Sequence, residues 1–332
     1  MLINFFTDII KLINFYLSKQ NFKYCFFNED DYTFKYIEPY ILKKSEKHRV
    51  LIFTFSSLDL NSDNIEILYI KNNFLREFFF LTTKIKYIYS TTPDLNYNFF
   101  KKSKFGKNKY IYLQHSPLSL TKAYNHNAFY HFDAIQAIHT FHVEEIKKFQ
   151  KSGKKIKSFR SKYKVIEKIN TSEKNYSFPF DVMIAPTWST NFYNYNFYEL
   201  INKLKSEKIS FFLRPHPMSI KKKEFDFNFL KQNNIIIDTS TKLDFSKARN
   251  LISDYSGIFI EFMFKTGKIP YLINSKEKIL NKLDTKEQTF EEVIRINICN
   301  PINYKDISNY DLKNRLKKEK YFNKEEITKY FF

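Results

Sequence analysis

Short runs of β-branched and aromatic residues recur along this chain, and segments of helical length separate them. In the first half the runs lie at residues 49–55, 65–70, 86–90, 109–114 and 132–138. Helices are predicted over 72–81 and 143–151. Short runs of this composition are typical of buried strands. Strands that alternate with helices predict a parallel sheet with helices on its faces.

The same rhythm starts again in the second half. Strands are predicted at 181–185, 209–214, 234–238, 251–253 and 270–273, and helices at 197–207, 245–250 and 258–266. The charged end, 311–332, is predicted to be helical in part, and a polar, lysine-rich stretch at 151–177 separates the halves. We therefore predict an α/β chain of two Rossmann-like domains, 1–172 and 173–332, that face each other across a cleft.

Composition and charge narrow the classes of partner. The chain has 332 residues, of which 43% are hydrophobic, so two buried cores are expected. A formal net charge of +20 favours nucleic acid, anionic lipid or a phosphate-rich substrate. Lysines spread over solvated faces would give the same surplus. Since the sequence contains no nucleic-acid-binding motif, we predict no nucleic-acid partner.

Cys25 and Cys299 lie far apart and lack the spacing of metal ligands. A disulfide framework or a zinc site is therefore not expected. We predict two free, buried thiols in a reducing compartment.

The first 17 residues are apolar, but they lack the basic leading segment and the small-residue cleavage site of a secretory signal. Polar side chains recur in them at helical spacing, at Asn4, Thr7, Asp8, Lys11, Asn14 and Ser18. This spacing predicts an amphipathic helix with an apolar opposite face, too short and too polar to span a membrane. Two placements fit it: on a membrane surface, or packed on its own domain.

Three polar stretches follow directly after predicted strands, where the ligand sites of open α/β sheets lie. The first is QHSPL at 114–118. Histidine titrates near neutrality, so His115 is suited to accept the proton of an attacking hydroxyl as a general base. The structural alternative is a histidine that only caps a loop.

The second stretch is RPHP at 214–217. Arg214 offers a planar fork of N–H groups for phosphate oxygens. The two prolines restrict the loop, so Arg214 and His216 lose little conformational freedom on binding a ligand. Such a loop suits a pyrophosphate, and the alternative is a structural turn in which Arg214 caps a neighbouring helix.

The third stretch is SDYSG at 253–257, which precedes the predicted helix 258–266. The N-terminus of a helix attracts anions, Ser256 adds a hydroxyl, and Gly257 lets a phosphate approach the backbone. Glu261 lies about one and a half turns further on, within reach of a ribose or polyol hydroxyl. The alternatives are a simple N-cap for Ser256 and a solvated position for Glu261.

Other features carry weaker signals. Four histidines cluster at irregular spacings, so we predict no metal site and no cofactor from His126, His131, His139 and His142. The acidic run Glu29, Asp30 and Asp31 is expected to form a solvated loop. Trp188 follows a predicted strand, where it is placed either to stack on a base or to pack on the domain.

Taken in order, these stretches resemble those of the CDP-glycerol glycerophosphotransferase family, enzymes that prime and polymerise teichoic acid chains. The family pattern is matched by Gln114 to Leu118, by Ala185-Pro186-Thr187-Trp188, by Arg214 to Pro217, and by Ser253 to Gly257 followed by the Gly267–Ile273 region. The chain departs from the pattern at Ser116, where the family has glycine, at Ser253 and Gly257, where it has Thr and Ser, and at Glu261, where Asp is common. The agreement covers roughly residues 85–275.

The resemblance implies a GT-B fold, a CDP-activated glycerol or ribitol donor, and no obligatory metal. It implies that His115 is the base and that Arg214, His216, Ser256 and Gly257 hold the donor phosphates, His216 with a catalytic part. We place Asp254 and Glu261 near the ribose or polyol, and Trp188 as a candidate for base stacking.

The predicted function is transfer of glycerol-phosphate or ribitol-phosphate from CDP to a hydroxyl of a cell-envelope glycan or lipid-linked acceptor. The predicted location is the inner face of the plasma membrane, with an anionic membrane surface as a further partner. The main alternative keeps the fold and uses a nucleotide sugar, as in capsule or lipopolysaccharide synthesis. A nucleic-acid-binding protein and a non-catalytic scaffold are the alternatives from other classes.

Overall fold

A computed structural model describes residues 2–18, 21–58, 60–151, 153, 155–167, 178–188, 191–275, 288–303, 306–307 and 311–332. Its strands are β1 Tyr24–Asn28, β2 Val50–Thr54, β3 Ile65–Tyr69, β4 Tyr87–Ser90, β5 Lys109–Tyr112, β6 Ala134–Ala137, β7 Lys157–Arg160, β8 Phe180–Ile184, β9 Phe211–Leu213, β10 Ile236–Ile237, β11 Ala248–Ser253, β12 Tyr271–Asn274 and β13 Ile302–Asn303. Its helices are α1 Leu2–Leu17, α2 Asp31–Ser45, α3 Asn73–Thr82, α4 Thr140–Lys151, α5 Lys164–Glu167, α6 Tyr195–Ser206, α7 Pro217–Lys221, α8 Phe227–Gln232, α9 Ile258–Thr266, α10 Phe290–Ile294, α11 Leu312–Lys317 and α12 Lys324–Thr328.

The first sheet is parallel and runs in the order β3-β2-β1-β4-β5-β6-β7. Every residue of β1 and β2 is buried, as expected for strands that helices cover on both faces. The strand order reverses between β1 and β4. This is the order of a Rossmann sheet, whose ligand crevice lies at that reversal.

Strand β1 and helix α2 are elements that the sequence patterns did not identify. Tyr24–Asn28 is short and its strand character depends on the sheet around it, since it lies at the centre of the sheet. The prediction of a solvated acidic loop at Glu29 to Asp31 holds in part: Glu29 and Asp30 lie in a loop and are half-buried, and Asp31 is exposed at the start of α2. Asp30 caps α2 by accepting a hydrogen bond from the Thr33 amide at 2.8 Å, and Glu29 accepts one from the Thr92 hydroxyl at 2.9 Å.

The predicted N-terminal helix is present as α1, and it packs on the unit to which it belongs. Asp8 accepts hydrogen bonds from the backbone amides of Lys71 and Asn72, at 2.8 and 2.9 Å. Lys11 donates to the carbonyl of Tyr69 at 3.3 Å. In the described part of the chain, no helix combines the length and the apolar character needed to cross a membrane.

The second sheet is also parallel and runs in the order β10-β9-β8-β11-β12-β13. This is again the Rossmann order, with the reversal between β8 and β11. The predicted helix at 245–250 is wrong: Phe245–Lys247 forms a single 3-10 turn, and β11 begins at Ala248. Pairing with β8 along Ala248 to Ile252 overrides the local preference of this segment.

The chain divides into two compact units. The first unit comprises Met1–His115, Asn125–Lys164 and Phe332, and the second comprises Ser116–Tyr124 and Val165–Phe331. Each contains one of the two sheets, so the prediction of an α/β chain with two Rossmann-like domains is confirmed. The predicted boundary at 172/173 lies outside the described residues. The sequence did not indicate that Ser116–Tyr124, which we call the strap, belongs to the second unit.

Both cysteines are free, and they differ in exposure. Cys25 lies in the buried strand β1, where burial raises the pKa of its thiol. Cys299 is half-buried, and burial raises the pKa of its thiol to about 12. The prediction of free thiols is confirmed, whereas that of burial holds for Cys25 only.

Candidate functional site

The matched stretches of the second half all lie at the carboxyl ends of adjacent strands in the second sheet. Thr187 and Trp188 follow β8, Arg214 and His216 follow β9, and the SDYSG stretch spans the end of β11 and the start of α9. Because β8 and β11 are neighbours across the strand-order reversal, their loops flank the position where such sheets bind ligands.

Asp254 joins the loops on the two sides of this reversal. Its carboxylate is 0% exposed, and it accepts hydrogen bonds from the Thr187 amide at 2.8 Å and from the Ser275 hydroxyl at 3.1 Å. The neighbouring Ser253 hydroxyl donates to the carbonyl of Ala185 at 2.6 Å. Asp254 is predicted to lie near the ribose or polyol, and these contacts show that it also fixes the loop after β8.

Helix α9 begins after Gly257, as predicted, and ends at Gly267, which adopts the left-handed conformation with a φ of 72°. The space over Gly257 is filled by the strap. A Cβ added to Gly257 would lie 2.6 Å from the Ser116 hydroxyl and 3.3 Å from Pro117. The absence of a side chain at Gly257 therefore lets the strap, rather than only a ligand, approach the start of α9.

The start of α9 has hydrogen-bonding capacity to offer an anion. Ser256 is 9% exposed, and its hydroxyl lies 3.5 Å from the Ile258 amide. Among the described residues, no acceptor binds the backbone N–H groups of Ser256 and Gly257. Unpaired N–H groups at the start of a helix are the groups that bind phosphate in other proteins.

The strap is attached to α10. The Ser119 amide donates to the buried Glu291 carboxylate, at 3.3 and 3.2 Å to its two oxygens. Lys122, which is 3% exposed, forms an ion pair with Glu292 at 3.0 Å. Hydrogen bonds from the Thr289 backbone and from Lys122 lower the pKa of Glu292 against the opposing effect of burial. A buried, paired set of this kind fixes the strap in one position.

The same α10 region also holds the turn before α9. Arg295 follows α10 and is 1% exposed. Its guanidinium donates to the carbonyl of Asp254 at 2.7 Å and lies 3.8 Å from the centre of the Tyr255 ring. The strap and the SDYSG turn are thus anchored to one short stretch of chain, through Glu291 and Arg295.

His216 and Trp188 lie side by side, with ring centroids 6.2 Å apart. The Nδ1 atom of His216 accepts a hydrogen bond from the Met218 amide at 3.1 Å and caps α7. This assigns the proton of the neutral ring to Nε2, which makes Nε2 a donor. The ammonium of Lys222 lies 4.2 Å from the centre of the Trp188 ring, so a cation already contacts the ring that was predicted to stack on a base.

Arg214 is held by the loop after β10. Its guanidinium forms an ion pair with Asp238 at 3.0 Å and donates to the Ser240 hydroxyl and carbonyl at 3.1 and 2.8 Å. Burial would raise the pKa of Asp238, but hydrogen bonds from Ser240, together with Lys247 and Arg214, lower it to about 2. The alternative to phosphate binding was a structural turn in which Arg214 caps a helix. These contacts agree with a structural role for Arg214, but its partner is a loop and not a helix.

Glu261 and His115 complete the predicted set. Glu261 is 6% exposed within α9, so the solvated alternative for it is wrong. His115 is in the first unit, directly after β5, and its Nδ1 lies 2.9 Å from the Tyr112 hydroxyl. The Tyr36 ring packs edge-on against the His115 ring, with centroids 6.2 Å apart. Tyr112 and Tyr36 therefore fix the orientation of the imidazole.

The strand-order reversal of the first sheet lies between Asn28, at the end of β1, and Thr91, just after β4. Asn28 is 0% exposed and Thr91 is 1% exposed. Neither the Asn28 amide nor the Thr91 hydroxyl has a hydrogen-bond partner among the described residues. Buried polar groups of this kind usually bind water or a ligand.

The histidine cluster resolves into separate local roles. His126 hydrogen-bonds the Tyr130 hydroxyl at 2.6 Å, whereas His139 and His142 are fully buried with ring centroids 3.7 Å apart. Within the described ranges, no three His, Cys, Asp or Glu side chains are placed to hold a metal ion.

Several residues that shape the site were not predicted from the sequence. Tyr112, Glu291 and Arg295 lie outside the matched stretches, and nothing in their spacing links them to the stretches that they contact. Tyr112 alone had a signal, since it lies three residues before His115 at the end of the same predicted strand.

No protein-family model matches the chain, and a comparison with curated proteins found no match. Solved structures similar to it include the wall teichoic acid polymerase TagF soaked with CDPG, at 15% identity and a TM-score of 0.48, over 82% of this chain and 78% of that one. WaaG, a glycosyltransferase involved in lipopolysaccharide biosynthesis, is similar at 10% identity and a TM-score of 0.46, over 89% and 90%. The lipopolysaccharide outer core galactosyltransferase WaaB in its apo form is similar at 12% identity and a TM-score of 0.32, over 75% and 79%. The fold class itself rests on the strand orders of the two sheets.

Proposed function

We propose that this chain is a transferase that moves glycerol-phosphate or ribitol-phosphate from a CDP-activated donor to an acceptor hydroxyl. The observation that carries the proposal is the set of loops at the carboxyl ends of β8, β9 and β11, of which Asp254 joins those after β8 and β11 at the strand-order reversal of the second sheet. This is where a sheet of this order binds a nucleotide. The ordered resemblance of these loops to the CDP-glycerol glycerophosphotransferases supports the choice of donor.

We assign the donor phosphates to the start of α9. The N–H groups of Ser256 and Gly257 and the positive end of the helix dipole would bind the phosphate oxygens and stabilise the charge of departing CMP. The Nε2–H of His216 supplies a further donor. Arg214 holds the loop that carries His216, because its guanidinium is bound by Asp238 and Ser240.

We assign the general base to His115. The acceptor oxygen attacks the β-phosphorus of the donor, the bond from that phosphorus to the CMP oxygen breaks, and the hydroxyl proton passes to Nε2 of His115. For Nε2 to accept this proton, Nδ1 must carry the other hydrogen and donate it to the Tyr112 oxygen, 2.9 Å away. Tyr112 is thus a positioning residue whose hydroxyl oxygen can accept this hydrogen bond.

Glu261 and Trp188 take the remaining parts. Glu261 would reach the ribose or polyol from inside α9, and Trp188 would contact the base on the face that Lys222 does not cover. The acceptor in this proposal is a cell-envelope glycan or a lipid-linked precursor, and the enzyme would act at the inner face of the plasma membrane. No metal or cofactor takes part in the proposed step.

The test is thermal stabilisation of the purified protein by CMP, CDP-glycerol, CDP-ribitol, UDP and UDP-sugars. Binding to the folded state raises the melting temperature, and the shift grows with the logarithm of the ratio of ligand concentration to Kd. We expect cytidine nucleotides to stabilise the wild type. This effect should weaken in Ser256→Ala combined with His216→Ala, which removes two side-chain donors and keeps the backbone N–H groups at the start of α9. Stabilisation by uridine nucleotides alone would replace the CDP donor with a nucleotide sugar, and no stabilisation by any of them would contradict the enzymatic proposal.

A further inference from the structure

Helix α1 packs on its unit through a side that mixes polar and apolar residues. Asp8 is 2% exposed and binds the backbone at the start of α3, and Lys11 binds the carbonyl of Tyr69 at the end of β3. On the same side Leu12 is 4% exposed, and the Phe15 ring packs against Phe79 with ring centroids 5.9 Å apart. The opposite side of α1 is exposed.

The outer side of α1 carries an apolar stripe from Phe6 to Leu17, with the exposed polar residues Thr7 and Asn14 beside it. Phe6, Ile10, Ile13 and Leu17 are 59%, 58%, 50% and 72% exposed, and their spacing puts them on one stripe. Four large apolar side chains on one stripe differ from the scattered exposed apolar residues of an ordinary surface.

Helix α3 extends this surface. The two helices run side by side in the same direction, since Asp8 contacts the first turn of α3 and the Tyr16 hydroxyl lies 2.6 Å from Thr82 at its end. Phe74 and Phe78, one turn apart on α3, are 69% and 44% exposed. We call Phe6, Ile10, Ile13, Leu17, Phe74 and Phe78 the α1–α3 face.

Cations surround this face. Lys71 and Lys84 are exposed at the two ends of α3, and Lys104, also exposed, is bonded through its amide to Leu81 of α3 at 3.0 Å. Among the residues described in the two helices, the acidic ones are Asp8, which is buried, and Glu77. An apolar stripe with a basic surround is the composition of a helix that lies in the headgroup region of a membrane.

We propose that the α1–α3 face docks on a lipid bilayer that contains anionic headgroups. A second copy of the chain could cover the same face, but the net charge of the chain disfavours this. Each copy carries a net charge of +20, so two copies repel each other while an anionic surface attracts each one. The inference deepens the proposed membrane location by naming the surface that binds lipid. It can be tested separately from the transferase reaction, because lipid binding requires neither donor nor acceptor.

The test is flotation of the full chain with vesicles of phosphatidylcholine alone and of phosphatidylcholine mixed with phosphatidylglycerol. We expect binding to the mixed vesicles that weakens as salt rises, and little binding to the neutral ones. In the double variant Ile10→Glu with Phe74→Glu, binding should fall at least about tenfold, because both apolar burial and charge attraction are reduced.

The matched control is Phe227→Glu with Ile236→Glu. These side chains of the second unit are 43% and 54% exposed, so the chemical change and the exposure are similar at a distant place in the sequence. The control should bind the mixed vesicles within about twofold of wild type, since it carries the same added charge without touching the face. Circular dichroism confirms that each variant is folded.

Three outcomes would overturn the proposal. One is wild-type protein that does not float with the mixed vesicles, and another is an equal loss in both double variants. The third is light scattering that shows a wild-type dimer which Ile10→Glu with Phe74→Glu dissociates, since a second copy would then cover the face. Nucleotide-induced stabilisation, measured on the same samples, reports on the transferase proposal separately.

Discussion

The two units share a strand order and differ in what stands at the strand-order reversal. In the second unit, Asp254 joins the loops after β8 and β11, and Arg295 holds the turn between β11 and α9. In the first unit, Asn28 and Thr91 occupy the corresponding place, with buried polar atoms that no described residue satisfies. A carboxylate links the loops in the first unit too, because Glu29, after β1, accepts a hydrogen bond from the Thr92 hydroxyl, after β4. The two sites therefore differ in their buried polar atoms, which have described partners in the second unit and lack them at Asn28 and Thr91.

The comparison shows which contacts hold the loops beside each crevice in place before a ligand binds. The Rossmann order creates a crevice in each sheet, and a carboxylate links the loops beside each of them. In the second unit this carboxylate is fully buried and the guanidinium of Arg295 adds a further hydrogen bond, which suits a tightly held donor. In the first unit the unsatisfied polar atoms of Asn28 and Thr91 suit a hydroxyl acceptor. The predictions below test this division of labour.

The largest effect is expected for the base in the first unit. His115→Ala should lower the transfer rate, measured as release of CMP, by about 10²- to 10⁴-fold, the usual contribution of a general base. Donor-induced stabilisation should remain, because the donor groups belong to the second unit. His126→Ala is the matched control: it removes a histidine of the first unit that also contacts a tyrosine hydroxyl. An unchanged rate in His115→Ala would contradict the proposed mechanism.

A second, structural effect is expected at Asp254. Asp254→Ala leaves the Thr187 amide and the Ser275 hydroxyl without their acceptor in a buried place. The cost should be about 2–3 kcal/mol in the free energy of unfolding, measured by denaturant titration. Nucleotide-induced stabilisation should weaken as well, since the loop after β8 loses its anchor.

The control for Asp254 is Asp226→Ala. Asp226 also accepts a backbone hydrogen bond in the second unit, from Asn228 at 2.8 Å, but it is exposed. Its loss should cost about 1 kcal/mol, the usual cost of removing a helix N-cap. Equal losses in the two variants would show that Asp254 is an ordinary cap and not a joint between loops.

The sequence was sufficient for the fold class because buried parallel strands keep their β-branched and aromatic character. It failed at β1, whose five residues become a strand only between β2 and β4, and at 245–250, where pairing with β8 overrides local preference. The site was predicted in part. Motif stretches such as SDYSG lie next to strands and can be found by position.

Residues that act across long separations could not be found in this way. Glu291 lies 172 positions from Ser119, and Arg295 lies 41 from Asp254. Their role depends on which helix the fold places beside the strap, and periodicity carries no information about that. Gly257 was singled out for the approach of a ligand, and the sequence did not indicate that Ser116 and Pro117 of the strap also lie against it.

A smaller effect is expected where the strap meets α9. Gly257→Ala would place a Cβ 2.6 Å from the Ser116 hydroxyl, so the strap must shift, at a cost of about 1–2 kcal/mol in the free energy of unfolding. Ser116→Ala removes the clashing oxygen and should restore part of this loss in the double variant. A double-mutant cycle measures the coupling. Purely additive losses would show that the strap does not rest on Gly257.

The smallest effect concerns acid stability in the loop that holds Arg214. The pKa of Asp238 is about 2 in the folded protein, below its ordinary value of about 3.9 in an unfolded chain. Because the folded value is depressed, the carboxylate contributes stability above pH 4, and this contribution is lost as the pH falls from about 4 to 2. After allowance for solvent screening, we expect about 1 kcal/mol. Denaturant titration should show a smaller loss of unfolding free energy over this pH range in Asp238→Asn than in wild type.

The same variant tests whether Arg214 can leave Asp238 to bind a phosphate. If it can, Asp238→Asn should increase nucleotide-induced stabilisation at neutral pH. Unchanged nucleotide-induced stabilisation would mean that Arg214 supports the loop of the second unit and does not bind the ligand.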